Sequence, residues 1–125
     1  MKISSLALLL LFLSNAMTAH AVAPICKSHS SGYFISYKGI VKQAYINTSN
    51  VVLIYFEDIL PQGGECGFDI SNRDAGIFPV DENPTFGFML YSTALAAVAE
   101  GKSVSIQMRD SASGYPKIDR IWIDK

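Results

Sequence analysis

Apolar and polar positions set out five strand-like stretches and one helical stretch along the chain. Between residues 33 and 46, Tyr33, Ile35, Tyr37, Val41 and Tyr45 share one parity, while Phe34, Ile40, Ala44 and Ile46 share the other. Apolar residues on both parities predict a long strand, and Gly39 within it predicts a bulge or sharp coil. That device lets one strand serve both halves of a closed sheet. Asn47-Thr48-Ser49-Asn50 has turn chemistry and predicts a hairpin into residues 51–57. That second run, Val51-Val52-Leu53-Ile54-Tyr55-Phe56, is almost continuously apolar, as a central strand should be. Pro61-Gln62-Gly63-Gly64 predicts the next turn, with a third strand near residues 65–70. Residues 71–82, rich in Asp, Asn, Gly and Pro, read as loop, and residues 23–31 as a short extended polar segment.

The period then changes. Asn83 is a good N-cap, Pro84 a natural first helical residue and Gly101 a natural C-terminal stop, so a helix is predicted between them. Phe86, Leu90, Ala94, Ala97 and Val98 form its expected buried stripe. Glu100 sits awkwardly at the negative end of the helix dipole. Small residues on its flank, Ser92, Thr93, Ala96 and Ala99, suit close approach to a sheet or another helix. Val104, Ile106 and Met108 then alternate into the core. A turn at residues 111–114 leads to a last strand with Ile121 and Ile123, in which Trp122 is expected to be core. The order strand-strand-strand-helix-strand-strand predicts an all-β domain with one helix: a five-stranded OB-fold barrel.

The first residues read as an export signal. Lys2 gives a positive start, residues 6–13 an apolar core, and Ala19-His20-Ala21 a cleavage pattern. The apolar run is shorter than the ~20 residues of a membrane span. Residues 1–21 are therefore read as signal peptide and 22–125 as one domain, secreted or periplasmic. Removing Lys2 with the signal leaves nine Lys/Arg against eleven Asp/Glu, a net charge of −2. Without a basic patch, binding to nucleic acid has little support. Cys26 and Cys66 both lie in the mature chain, and an oxidising destination favours a disulfide between them. It would tie the N-terminal segment to the third strand; two free thiols or pairing with another chain are the alternatives. Two cysteines and one mature histidine, His29, give no zinc spacing, and no cofactor is expected.

Three local motifs carry a family resemblance: Tyr37-Lys38-Gly39-Ile40-Val41, the helical Met89-Leu90-Tyr91-Ser92-Thr93-Ala94-Leu95 running into Glu100-Gly101-Lys102-Ser103-Val104-Ser105-Ile106, and the closing Ile118-Asp119-Arg120-Ile121-Trp122-Ile123. In these the chain resembles the receptor-binding B subunits of bacterial AB5 toxins, of the subtilase cytotoxin and pertussis-like type. The resemblance implies a non-catalytic module that binds cell-surface glycans, sialylated ones among them. It also implies five copies with their helices around a pore, and a toxic A subunit as cargo. Where the subtilase-type motif has a serine that holds sialic acid, this chain has Lys38, a cation that could face an acidic sugar.

The candidate glycan-binding residues are Ser30, Ser31, Tyr33, Tyr37 and Lys38, at the entry to the long strand. Aromatic faces stack on sugar rings, and hydroxyl-rich loops hydrogen-bond to them. Enzymatic readings are weaker. Pairing of Cys26 would remove the nucleophile beside His29, and a small barrel lacks the deep cleft in which Glu57, Asp58, Glu65 and Asp69 would serve glycoside chemistry. Asn72, Asp74 and Gly76 resemble part of a calcium loop that lacks its downstream glutamate. The alternative to a glycan-binding module is a periplasmic structural or protein-interaction module of the same fold.

Overall fold

The polar N-terminal segment is itself a strand. In the computed structural model, which describes residues 22–30 and 32–125, β1 (Val22–His29) runs antiparallel to the first half of β2 (Gly32–Asn47). The export signal expected at residues 1–21, and Ser31, lie outside the described residues. The hairpin expected from Asn47-Thr48-Ser49-Asn50 forms, with Asn50 N–H donating to Asn47 O at 3.1 Å and Ser49 N–H to Asn47 Oδ1 at 3.0 Å. It delivers the chain into β3 (Val51–Phe56).

The third strand of the expected order is displaced. Residues 63–66 form a single helical turn, α1 (Gly63–Cys66), and the strand is β4 (Ala75–Pro79). Cys66, Phe68 and Ile70 alternate as in a strand, and they pack on the core, but without a ladder. Backbone bonds in this connection run from Leu60 to Arg73 and from Ser71 and Asn72 to Gly114. The residues that resembled a calcium loop lead into sheet instead: Asp74 O accepts from Phe56 N–H, and Gly76 is a strand residue opposite Ile54.

A 3₁₀ turn (Val80–Glu82) leads into α2 (Pro84–Glu100), followed by β5 (Ser103–Ala112) and β6 (Tyr115–Ile123). The helix punctuation is as expected. Asn83 Oδ1 accepts from Phe86 N–H at 3.1 Å, and Gly101 closes the helix in the left-handed region at φ 63°. Glu100 is bridged to Lys102 at 3.2 Å, an exposed pair. Leu90, Ala94 and Ala97 are buried as predicted, whereas Val98 is exposed and Gly87 takes a buried place against Val80.

The strands close a ring in the order β2-β3-β4-β6-β5 and back to β2. All pairings are antiparallel except β4 with β6, which run parallel and meet at Ile77 and Lys117. β2 does serve two halves: residues 35–40 pair with β5 and residues 41–47 with β3. The irregularity lies between Val41 and Gln43 rather than at Gly39. Gly39 is needed for another reason. A Cβ there would lie 2.8 Å from the Tyr37 hydroxyl, which curls under its own strand to donate to Ile40 O at 2.6 Å.

Inside the ring, Ile35, Tyr37, Val52, Ile54, Phe56, Val104, Ile106, Met108 and Ile118 form one core, capped by Leu90, Ala94 and Ala97 of α2. Cys26 and Cys66 are joined, with Cα atoms 5.6 Å apart. The bridge ties β1 to α1, not to a third strand. Trp122, expected in the core, is 45% exposed.

At the seam between β4 and β6 the side chains leave no room. A Cβ on Gly76 would meet Ile118 Cγ1 at 2.7 Å and Met108 Sδ at 3.1 Å, and both neighbours are fully enclosed. Gly76→Ala should therefore lower stability by about 1–3 kcal/mol through overpacking. Urea unfolding should show a lower midpoint at unchanged slope; an unchanged midpoint would mean that the seam can give.

Candidate functional site

The expected sugar-binding residues do not converge. Ser30 is exposed in the turn between β1 and β2, and Ser31 lies outside the described residues. Tyr33 is 56% exposed and stands opposite Ser28. Lys38 is exposed five residues further along β2, roughly 16 Å away, and on the other parity, so the two project to opposite faces. Tyr37 is fully buried, stacked on Phe56 with ring centroids 4.3 Å apart, and offers no face to a ligand. Spacing along a strand placed these residues near one another in sequence; the pleat separates them.

A cleft of about 470 Å³ opens elsewhere, where the start of α2 meets the middle of β5 and β6. Its floor is apolar: Phe78 and Ile118 are buried, and half-buried Phe86 meets Phe78 edge-to-face, with centroids 4.8 Å apart. Its rim is charged. Lys117 Nζ lies 3.2 Å from Glu82 Oε2, and Arg109 Nε lies 3.7 Å from Asp119 Oδ2. Arg109 also stacks its guanidinium over the Phe34 ring at 5.5 Å. Asp110 adopts a left-handed backbone, φ 64°, and its Oδ1 accepts from Ser111 N–H at 2.9 Å. Asn83 completes the rim while capping α2.

Sequence reasoning missed this site because its residues come from five elements that are scattered along the chain. Glu82 and Asn83 belonged to a loop and a helix cap. Arg109, Asp110, Lys117 and Asp119 are ordinary strand charges until the ring closes. The left-handed Asp110 gave no sequence signal beyond the tolerance of aspartate for that conformation. The cleft lining contains carboxylates, two cations and two aromatic rings, but no histidine, cysteine, serine or threonine. Among the described residues no group of three or more His, Cys, Asp or Glu could hold a metal ion.

A second feature is the outer face of α2. From Pro84 to Ala99 the helix has no charged residue. Phe88 (57%), Met89 (63%), Leu95 (42%) and Val98 (41%) stand exposed on it. A helix on a monomer's surface ordinarily carries charge on its solvent side, and one that is apolar all round is ordinarily covered. No helix among the described residues is long and apolar enough to cross a membrane. The small Ser92, Ala96 and Ala99 lie between the larger residues, so the face has both ridges and hollows.

No family model matches this chain, and neither the curated proteins nor the solved structures include a match.

The burial of Tyr37 has a consequence for pH. Burial pushes its phenol up to about 12; a backbone hydrogen bond at Glu57 opposes this, and the Asp58 and Glu57 carboxylates add to it. A native pKa above the unfolded value of 10 means that the folded state holds its proton longer. The stabilisation is complete below pH 10 and is lost as pH rises towards 12. Two pH units correspond to about 2–3 kcal/mol. Wild type should lose that much more stability than Tyr37→Phe between pH 9 and 12, measured by urea unfolding of both proteins. Equal losses would place the phenol in water.

Proposed function

We propose that this chain is an exported, non-catalytic binding module of the toxin B-subunit kind, a glycan-binding OB-type barrel that acts as a homo-oligomer. The observation that carries the reading is the uncharged outer face of α2. Four large apolar side chains exposed together on one helix need a partner. The occupant best matched to them is a second copy, because ridges at Phe88 and Leu95 and hollows at Ser92, Ala96 and Ala99 complement each other across like helices. Five copies is the number that the family resemblance implies.

The barrel assignment is supported by the ring order, the parallel closure of β4 on β6 and the helix inserted between them. That order is the one in which an OB barrel closes. Export is supported by the Cys26–Cys66 bridge, which persists in an oxidising compartment. A glycan as ligand is supported by the cleft, whose aromatic floor and polar rim suit a small hydroxylated ring. An A subunit would ride on the assembled ring, as the resemblance implies.

Light scattering after size-exclusion, followed by a glycan array with the same fractions, tests the proposal. Wild type should elute as an oligomer, and Leu95→Lys should elute as a folded monomer with an unchanged circular dichroism spectrum. The oligomer should retain at least one family of array glycans. A wild-type monomer at about 100 μM, well above typical specific assembly constants, would overturn assembly through α2. An oligomer that binds no glycan at high density would leave the other reading, a protein-interaction module.

A further inference from the structure

The cleft at the start of α2 has a sign. Three carboxylates, Glu82, Asp110 and Asp119, face two cations, Arg109 and Lys117. Both cations are engaged already: Lys117 by Glu82, and Arg109 by Asp119 and the Phe34 ring. Asp119 takes a further contact from Arg120 at 3.1 Å. Among the described residues no cation pairs with Asp110, whose Oδ1 accepts from the Ser111 N–H. The site is therefore better supplied with hydrogen-bond acceptors than with positive charge. An acidic ligand would have to break an existing ion pair to gain a cation, whereas a hydroxylated one would not.

From this we infer that the cleft is the glycan site of the proposed module and that it takes an uncharged or amino-substituted pyranose rather than a sialic acid. The ring lies with its C–H face on Phe86, the half-buried aromatic of the floor. Its hydroxyl groups donate to the carboxylates of Asp110 and Asp119, and an amine in place of a hydroxyl strengthens that contact by adding charge. The expectation of an acidic sugar held by Lys38 on β2 is replaced by a site on the other side of the fold's sequence, at α2, β5 and β6. The inference rests on the reading of the chain as a glycan-binding module; it adds where the sugar sits and which charge it carries.

The probe series is the methyl glycosides of glucosamine, glucose and glucuronic acid, which share one pyranose ring and carry, respectively, an ammonium in place of the C2 hydroxyl, no charge, and a carboxylate in place of the C6 hydroxymethyl group. Each is titrated into the isotope-labelled mature protein and followed by amide chemical shifts. Affinity should fall in the order amine, neutral, acid, by about threefold to fivefold per step, the scale of one partly exposed charge contact. Shifts should concentrate at Phe86, Asp110, Lys117 and Asp119. Added salt should reduce the amine's advantage and leave the neutral sugar unaffected. Asp110→Asn, which keeps the size, an accepting oxygen and the same backbone, should lower affinity for the amine by about the same threefold to fivefold. Asp119→Asn is the second variant should the first fail to fold.

Tighter binding of the acid, or shifts gathered at Tyr33 and Lys38 instead, would overturn this assignment while leaving a glycan-binding module in place. Silence of all three probes, together with a blank array, would overturn the module reading as well. If the probes are silent but the array retains sialylated glycans alone, the charge argument falls and the module stands.

Discussion

The structure depends on the contact between Gly76 and Ile118. β4 and β6 are the two strands that close the ring, and they meet in parallel over a short register around Ile77 and Lys117. A short parallel pairing offers few ladder bonds, so the closure rests on side-chain packing. Ile118 fills the space that a side chain at position 76 would take, with Met108 beside it. The same contact sets the site. With Ile118 drawn against β4, its neighbours Lys117 and Asp119 come to the rim, one within reach of Glu82 and the other of Arg109. Phe78, two residues beyond Gly76, becomes the floor. Core closure and cleft geometry are thus one packing event.

The other half of the ring is held by β2. It turns from β5 to β3 within its own length, and Tyr37 stabilises the bend from inside by stacking on Phe56 and donating to Ile40 O. Gly39 leaves the ring room to do so. The disulfide works at a different place. β1 shares with β3 one edge of β2, outside the closed ring, and would otherwise be held by a single ladder. Joining Cys26 to Cys66 ties it to the β3–β4 connection and removes chain entropy from the unfolded state, by roughly 4 kcal/mol for a loop of this length. The bridge thus secures the edge, while the core secures the ring.

Much of this architecture was legible where punctuation and period agreed. The hairpin at residues 47–50 and the helix between Asn83 and Gly101 carried both kinds of signal, and the long strand carried an apolar run with a glycine. The failures have identifiable causes. Cys66, Phe68 and Ile70 alternate because a loop can bury every second side chain without pairing its backbone. Residues 75–79 were hidden because a five-residue buried strand shows no alternation, and Asp74, Gly76 and Pro79 look like a loop. Val98 was misplaced since a helix without charge from Pro84 to Ala99 does not reveal which side is covered. The cleft was illegible for a deeper reason: its charged members are ordinary strand residues and a helix cap, brought together by the register of a parallel pair that no local pattern encodes. Tyr37 misled as a sugar platform because parity cannot distinguish an aromatic facing in from one facing out.

In the proposed assembly, α2 does two jobs at adjacent positions. Phe86 turns towards Phe78 and floors the cleft, while Phe88 and Met89 stand outward on the face that meets another copy. The helix would therefore fix each cleft relative to the axis of that assembly, with no flexible linker between the proposed sugar contact and the proposed subunit contact. That rigidity matters for a site of this kind. A shallow, open cleft that offers a few hydrogen bonds and one stacking ring binds a monosaccharide weakly, because little of the ligand is enclosed. Several such clefts at fixed spacing on one body raise the overall strength by orders of magnitude when the receptors on a surface match the spacing. In the proposed assembly, an uncharged helix face that is a liability on a monomer would thus become the means by which a weak cleft serves as a strong surface-binding device.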